Sequence, residues 1–126
     1  MTKRPPVYIL ITPDGQARWG HQLAVAEQAM GPHGIGRSFL TPQARLRIAA
    51  PNAALTSPDQ YAPNPYAAQV LAHLVGLPPH NTPETRGPVA LYGFDPTNER
   101  DRTRPLTTPE RNTITRALTA AGCTTT

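Results

Sequence analysis

Residues 87–94 read GPVALYGF and residues 106–122 read LTTPERNTITRALTAAG. The fold turns on these two stretches. In the first, Val89, Leu91 and Gly93 fall on one side of an extended chain, and Ala90, Tyr92 and Phe94 on the other. Both sides are largely apolar, as in a strand covered on two faces, so this strand belongs at the centre of a sheet. In the second, Thr107 with Glu110 makes a capping box, and Thr108 with Pro109 offers a proline-first start. Ile114, Ala117, Leu118 and Ala121 recur at helical spacing and Gly122 ends the run. The reading is a buried strand, an exposed charged connection over 95–105, and a helix that returns to cover the strand.

Upstream lies a second well-bounded helix. Asn64 is a good N-cap, Pro65 suits the first helical position, and Gly76 followed by Pro78-Pro79 closes the segment. Ala67, Val70, Leu71 and Leu74 form its core stripe. At the other end of the chain, Val7 to Ile11 (VYILI) is apolar and β-branched, and Thr12-Pro13-Asp14-Gly15 is a turn. Gln16-Ala17-Arg18-Trp19 then alternates, so a β-hairpin is expected, with Trp19 packing rather than recognising a ligand. Gln22 to Met30 reads as a helix that buries Leu23, Ala26 and Met30 and stops at Gly31-Pro32. Ile35 to Leu40 suits a short strand. Residues 41–50 carry both a helix start at Thr41-Pro42 and an alternation of Leu46, Ile48 and Ala50 with Arg45, Arg47 and Ala49. The alternation favours a strand, with Pro51-Asn52 as a turn. Gly31, Gly34 and Gly36 lack the order of a phosphate-binding loop and read as a connector.

The chain has 126 residues, the length of one domain, and 16 prolines, which break it into short elements and disfavour a helical bundle. The expected architecture is a single α+β domain over residues 1–122, with a frayed tail at 123–126. A small antiparallel or mixed sheet contains the N-terminal hairpin, and two or three helices pack mainly on one face. The formal net charge is +4, and Lys3 is the only lysine among the 12 Lys and Arg residues. That bias, with abundant Ala, Pro and Thr, matches a GC-rich genome, so arginine content by itself argues little for nucleic acid. Cys123 is the one cysteine, which excludes an intrachain disulfide and fits a reducing cytoplasm. The five-residue apolar run near the N-terminus is too short for a signal-peptide core, and no run approaches the ~20 residues of a membrane helix. A cytoplasmic location without membrane contact is expected.

Three pieces together resemble a known family. They are the VYILITPDGQARW hairpin, SPDQYAPNPYAAQVLAHLVG, and GPVALYGF followed by PLTTPERNTITRAL. They are similar to a family of small proteins defined only as a domain of unknown function, common in actinobacteria, phages and plasmids. The matching positions are Pro13, Asp14 and Gly15; Pro58, Asp59, Tyr61, Pro63 and Asn64; and Gly87, Pro88 and Val89. Gln60 stands where the family pattern has a basic residue, and Ala62 separates Tyr61 from Pro63. The resemblance implies a mobile-element or accessory setting and brings no activity, cofactor or catalytic residue.

Two constellations are candidates for chemistry. Arg100, Arg102 and Arg104 alternate in NERDRTRP, and extended they point one way, towards a nucleic-acid or other anionic partner. Arg45 and Arg47 extend that patch if their segment is a strand. No aromatic residue interleaves with these arginines, so no single-strand stacking platform is expected there. Tyr66, Gln69 and His73 lie along one edge of a helix, with His73 as a candidate acid or base. The plainer account is an amphipathic border. The four histidines, His21, His33, His73 and His80, have no zinc spacing, and Asp95, Glu99 and Asp101 lack the pattern of a calcium loop. No metal or cofactor is expected. The expected function is a non-catalytic accessory protein acting through protein–protein contacts. The alternatives are a nucleic-acid binder using the arginine loop and a small enzyme with its site near His73.

Overall fold

The computed structural model describes residues 4–31, 35–39, 46–51, 59, 61–76, 85–95 and 103–126. Residues 8–11 and 16–20 form the hairpin β1 and β2, joined through Thr12–Gly15. The Asp14 carboxylate accepts from the Thr12 hydroxyl and from Gln16 N–H, and the Thr12 bond holds its carboxyl below the usual range. Gly15 closes the turn at φ +87°, and a Cβ there would sit 2.9 Å from the ring of Tyr66. Only glycine satisfies both conditions.

Helix α1 spans Leu23–Ala29, and Met30 closes it. Strands β3 (Ile35–Phe39) and β4 (Leu46–Pro51) pair antiparallel, so the alternation in 46–50 prevails over the proline-first helix start. Pro51 ends β4 opposite Ile35 and is a strand residue, not the first residue of a turn. Residues 41–45 and Asn52 lie outside the described residues. Helix α2 spans Pro65–Val75 and β5 spans Val89–Phe94. Strand β6 (Thr103–Arg104) pairs with the end of β5, helix α3 spans Thr108–Ala121, and β7 is Thr124–Thr125.

The described strands form one mixed sheet in the order β3-β4-β5-β1-β2-β7, with β6 beside the end of β5. Every pairing is antiparallel except β2 with β7. Strand β5 lies between β1 and β4, and each of its six residues is buried, the central place its two apolar faces require. One face carries Ile9, Ile11, Ala17, Val89 and Leu91 under α2 and α3, which contribute Val70, Leu71, Ile114, Ala117 and Leu118. The other carries Tyr8, Ala49, Ala90 and Tyr92 under α1, which contributes Ala26 and, just past its end, Met30. The domain is therefore α+β, with two helices on the main core face and a short third helix behind the sheet.

The C-terminal tail, expected to fray, extends the sheet instead. Gly122 caps α3 at φ +81° and reverses the chain, so that Thr124 N–H donates to Gly15 C=O (2.8 Å) and Thr126 N–H to Ala17 C=O (2.9 Å). Cys123 is drawn against the main core as a result, and burial pushes its thiol pKa up.

Residues 61–64 and 85–87 form the joint of the domain. Asn64 is fully buried. Its Nδ2 donates to Ile11 C=O (3.1 Å) and Gly87 C=O (2.8 Å), and its Oδ1 accepts from Ala67 N–H (3.0 Å). One side chain thus ties the end of β1, the approach to β5 and the first turn of α2. Tyr61 donates its hydroxyl proton to Met30 C=O (3.1 Å) and lays its ring against Gly87, where a Cβ would lie 2.8 Å from it.

Candidate functional site

Of the arginines expected to form an anion-binding edge, Arg47 and Arg104 are among the described residues. Arg104 lies opposite Gly93 and Arg47 opposite Tyr92. Gly93 and Tyr92 are consecutive in one strand, so the two arginines project from opposite faces of the sheet. Arg104 turns towards α3, where Nη1 and Nη2 donate to the two carboxylate oxygens of Glu110, both at 2.7 Å. Its Nε also donates to Phe94 C=O (3.2 Å) and its Nη1 to Pro105 C=O (3.1 Å). Arg47 stacks its guanidinium over the Phe94 ring, 4.9 Å from the centroid. Arg45, Arg100 and Arg102 lie outside the described residues, as do Glu99 and Asp101.

The Arg104–Glu110 pair has an architectural role. Glu110 Oε1 also accepts from Thr107 N–H (2.8 Å) and Thr107 Oγ1 accepts from Glu110 N–H (3.3 Å), so the capping box and the β6 anchor share one carboxylate. Burial pushes the Glu110 pKa up, but the bonds from Arg104 and Thr107 outweigh it and leave the carboxyl below its ordinary value. Hydrogen bonding to Glu110 raises the pKa of Arg104 in turn. A carboxylate with a depressed folded pKa stabilises fully above its unfolded value and loses that contribution as pH falls through the folded value. Glu110→Gln keeps the capping acceptor and removes the charge. At pH 7 it is expected to cost about 0.5–1 kcal/mol, the scale of a well-formed but solvent-accessible pair. In urea unfolding at successive pH values, the gap between wild type and variant should close as pH drops below the ordinary 4.5. A gap that widens in acid would refute the assignment.

Tyr66, Gln69 and His73 fall on α2 as expected. Tyr66 is half-buried against the core and over Gly15, whereas Gln69 and His73 are exposed. Among the described residues no group of three His, Cys, Asp or Glu is placed to hold a metal ion. Nor is any described helix long and apolar enough to cross a membrane.

A cleft of about 850 Å³ opens where α3 passes the end of the hairpin, lined by Arg4, Pro6, Trp19, His21, Thr108, Arg111, Asn112 and Thr115. The N-terminal segment forms one wall. It is held there by Leu106 N–H donating to Pro6 C=O (2.8 Å) and by His21 Nε2 donating to Arg4 C=O (2.9 Å). The end of β2 contributes Trp19, half-buried with its apolar body against the main core. The opposite wall is the first half of α3, where Thr108, Arg111, Asn112 and Thr115 share one helical face. Arg111 donates from Nη2 to Thr108 Oγ1 (2.9 Å), while its buried Nε has no acceptor among the described residues. Among the described residues that line the cleft there is no Asp or Glu. Arg4 and Arg111 bring positive charge to it, beside the α3 N-terminus, whose first turn also carries the Glu110 carboxylate.

These residues were not gathered by the sequence reading. Arg4, Trp19 and Arg111 are distant along the chain, and only the hairpin register and the path of α3 bring them together. One local signal was present: 108, 111, 112 and 115 form a polar stripe at helical spacing beside the buried stripe of Ile114, Ala117 and Leu118. No family model, curated protein or solved structure matches this chain.

Proposed function

We propose that this is a non-catalytic binding protein of accessory type, which holds an anionic partner in the cleft between its N-terminal segment, β2 and α3. The observation that supports the reading is the lining: two arginines, a tryptophan, an amide and hydroxyls, with no carboxylate among the described residues. The imidazole at this site is engaged with backbone through Nε2, which suits a positioning role better than proton transfer. The resemblance of its hairpin, helix and core-strand motifs to the actinobacterial, phage and plasmid family is the support for a mobile-element setting. A protein partner fits the cleft through an acidic segment, and a nucleic acid through its phosphates. The cytoplasm is the compartment that the single cysteine favours.

The test uses two double variants of equal net charge. Arg4→Ala/Arg111→Ala empties the cleft of its guanidinium groups, and Arg18→Ala/Arg116→Ala removes two exposed arginines elsewhere. Retention on an immobilised phosphate resin is measured across a salt gradient. The cleft variant should elute at clearly lower salt than the control variant, because only site-bound cations release counterions together. Equal elution of the two variants would remove the cleft as the anion site.

A further inference from the structure

The cleft combines features that a simple anion does not need. A phosphate or carboxylate group is satisfied by the guanidinium groups of Arg4 and Arg111, yet Trp19 lines the same space. Asn112 adds an amide that both donates and accepts, and Thr108 and Thr115 add hydroxyls. The volume of about 850 Å³ lies within the roughly 300–1,000 Å³ of small-ligand sites and far exceeds the need of a bare oxyanion. It is also a local, open cleft, whereas a duplex backbone calls for a longer run of contacts. The stacking platform that the arginine loop lacks is thus supplied elsewhere, by residues from three separate parts of the chain.

We propose that the cleft is a nucleoside-phosphate site, with the base against Trp19, the phosphate between Arg4 and Arg111, and Asn112 facing the polar edge of the base. This rests on the anion reading of the cleft given above and narrows it to one chemistry. An aromatic base against an indole is favourable whatever its identity, because every base presents a π-face. The guanidinium of Arg111 is committed to Thr108 through Nη2 and its Nε is buried, so Nη1 is the group left to donate to phosphate oxygens. An acidic peptide would use the arginines and leave the indole without a counterpart, so it is the less complete occupant. The ligand is either a free mononucleotide or one unit of a single strand, and the chemistry recognised is the same.

Trp19 is the only tryptophan, so its fluorescence reports on this cleft alone. The full chain is titrated with adenosine 5′-monophosphate, a six-nucleotide deoxyadenylate, inorganic phosphate and poly-L-glutamate. Saturable quenching by a nucleotide ligand, absent with inorganic phosphate and poly-L-glutamate, is the expected result. Tighter binding of the hexamer by tenfold or more assigns the site to single strands, and equal affinity per site assigns it to the free nucleotide. Arg111→Gln, on a solvent-accessible helix face, should weaken binding by about tenfold and lower the salt slope for the hexamer by roughly 0.7. Trp19→Leu, which retains apolar bulk against the core, should weaken the binding of a dye-labelled hexamer by about tenfold, followed by anisotropy. Arg111→Gln keeps the test decisive if Trp19→Leu fails to fold. Binding of poly-L-glutamate that depends on Arg4 and Arg111, with no nucleotide binding, overturns the nucleoside reading and leaves the anion reading standing. No binding by any probe overturns both.

Discussion

Asn64→Ala is expected to lower the unfolding free energy by about 3–5 kcal/mol, a large fraction of the ~5–15 kcal/mol typical of a domain. Two costs combine. The N-cap bond to Ala67 N–H is lost, worth ~1 kcal/mol in most helices. The bonds to Ile11 C=O and Gly87 C=O are lost as well, at ~1–3 kcal/mol for each carbonyl left buried without that donor. Asn64→Asp separates these contributions. Aspartate caps helices as well as asparagine does, but it has no donor for the two carbonyls and places negative charge against them. If capping were the whole role, Asn64→Asp would be nearly neutral. The three-way joint predicts a loss at least as large as that of Asn64→Ala. Chemical denaturation of both variants measures this, and an Asp variant within ~0.5 kcal/mol of wild type, the spread of ordinary surface changes, would sink the account.

Leu91→Ala carries the second large effect, an expected loss of about 2–5 kcal/mol. Leu91 has no exposed surface and lies at the centre of β5, in register with Ile9 of β1 on one side and Ile48 of β4 on the other. It faces the two-helix core, where the buried stripes of α2 and α3 leave little freedom to collapse into the space of the lost atoms. At a urea m-value of ~1.5–2 kcal/mol/M, a loss of about 3 kcal/mol moves the unfolding midpoint by about 1.5–2 M. Val25→Ala provides the contrast. Val25 is 55% exposed on α1, so its truncation should stay within ~0.5 kcal/mol of wild type. Similar losses at both positions would mean that the β5 core is not where the stability of the domain is concentrated.

Residues of the hairpin turn and of the joint have plain structural roles. Asp14 and Gly15 close the hairpin turn, and Gly87, at φ +75°, lets the chain pass beneath the Tyr61 ring into β5. Tyr61 reaches the end of α1 and Asn64 joins three elements. Pro58 lies outside the described residues. These are scaffold positions. The cleft draws on other residues, placed by the same scaffold.

Local chemistry made the elements themselves readable. A Pro after Asn64, a Glu three residues after Thr107 and the two-sided apolar run of 89–94 each describe an environment a few residues long, and sequence suffices for that. Wherever a choice depended on a distant partner, the tertiary structure decided it. Cys123-Thr124-Thr125-Thr126 has no apolar pattern, and it becomes a strand only because the cap at Gly122 delivers it to the edge of β2. Arg47 and Arg104 look like members of one patch until the register of β5 sends them to opposite faces and Glu110 engages Arg104. Arg4, Trp19 and Arg111 carry no shared signal in the chain. Their meeting is fixed by the N-terminal segment lying beside the stretch before α3, through Leu106 N–H to Pro6 C=O, and by α3 then running past the end of β2. Periodicity and capping are local, so the main helices and the two-faced core strand are legible in the chain. The edge strands and the cleft are relations between distant segments that no local pattern encodes, so they follow from the fold.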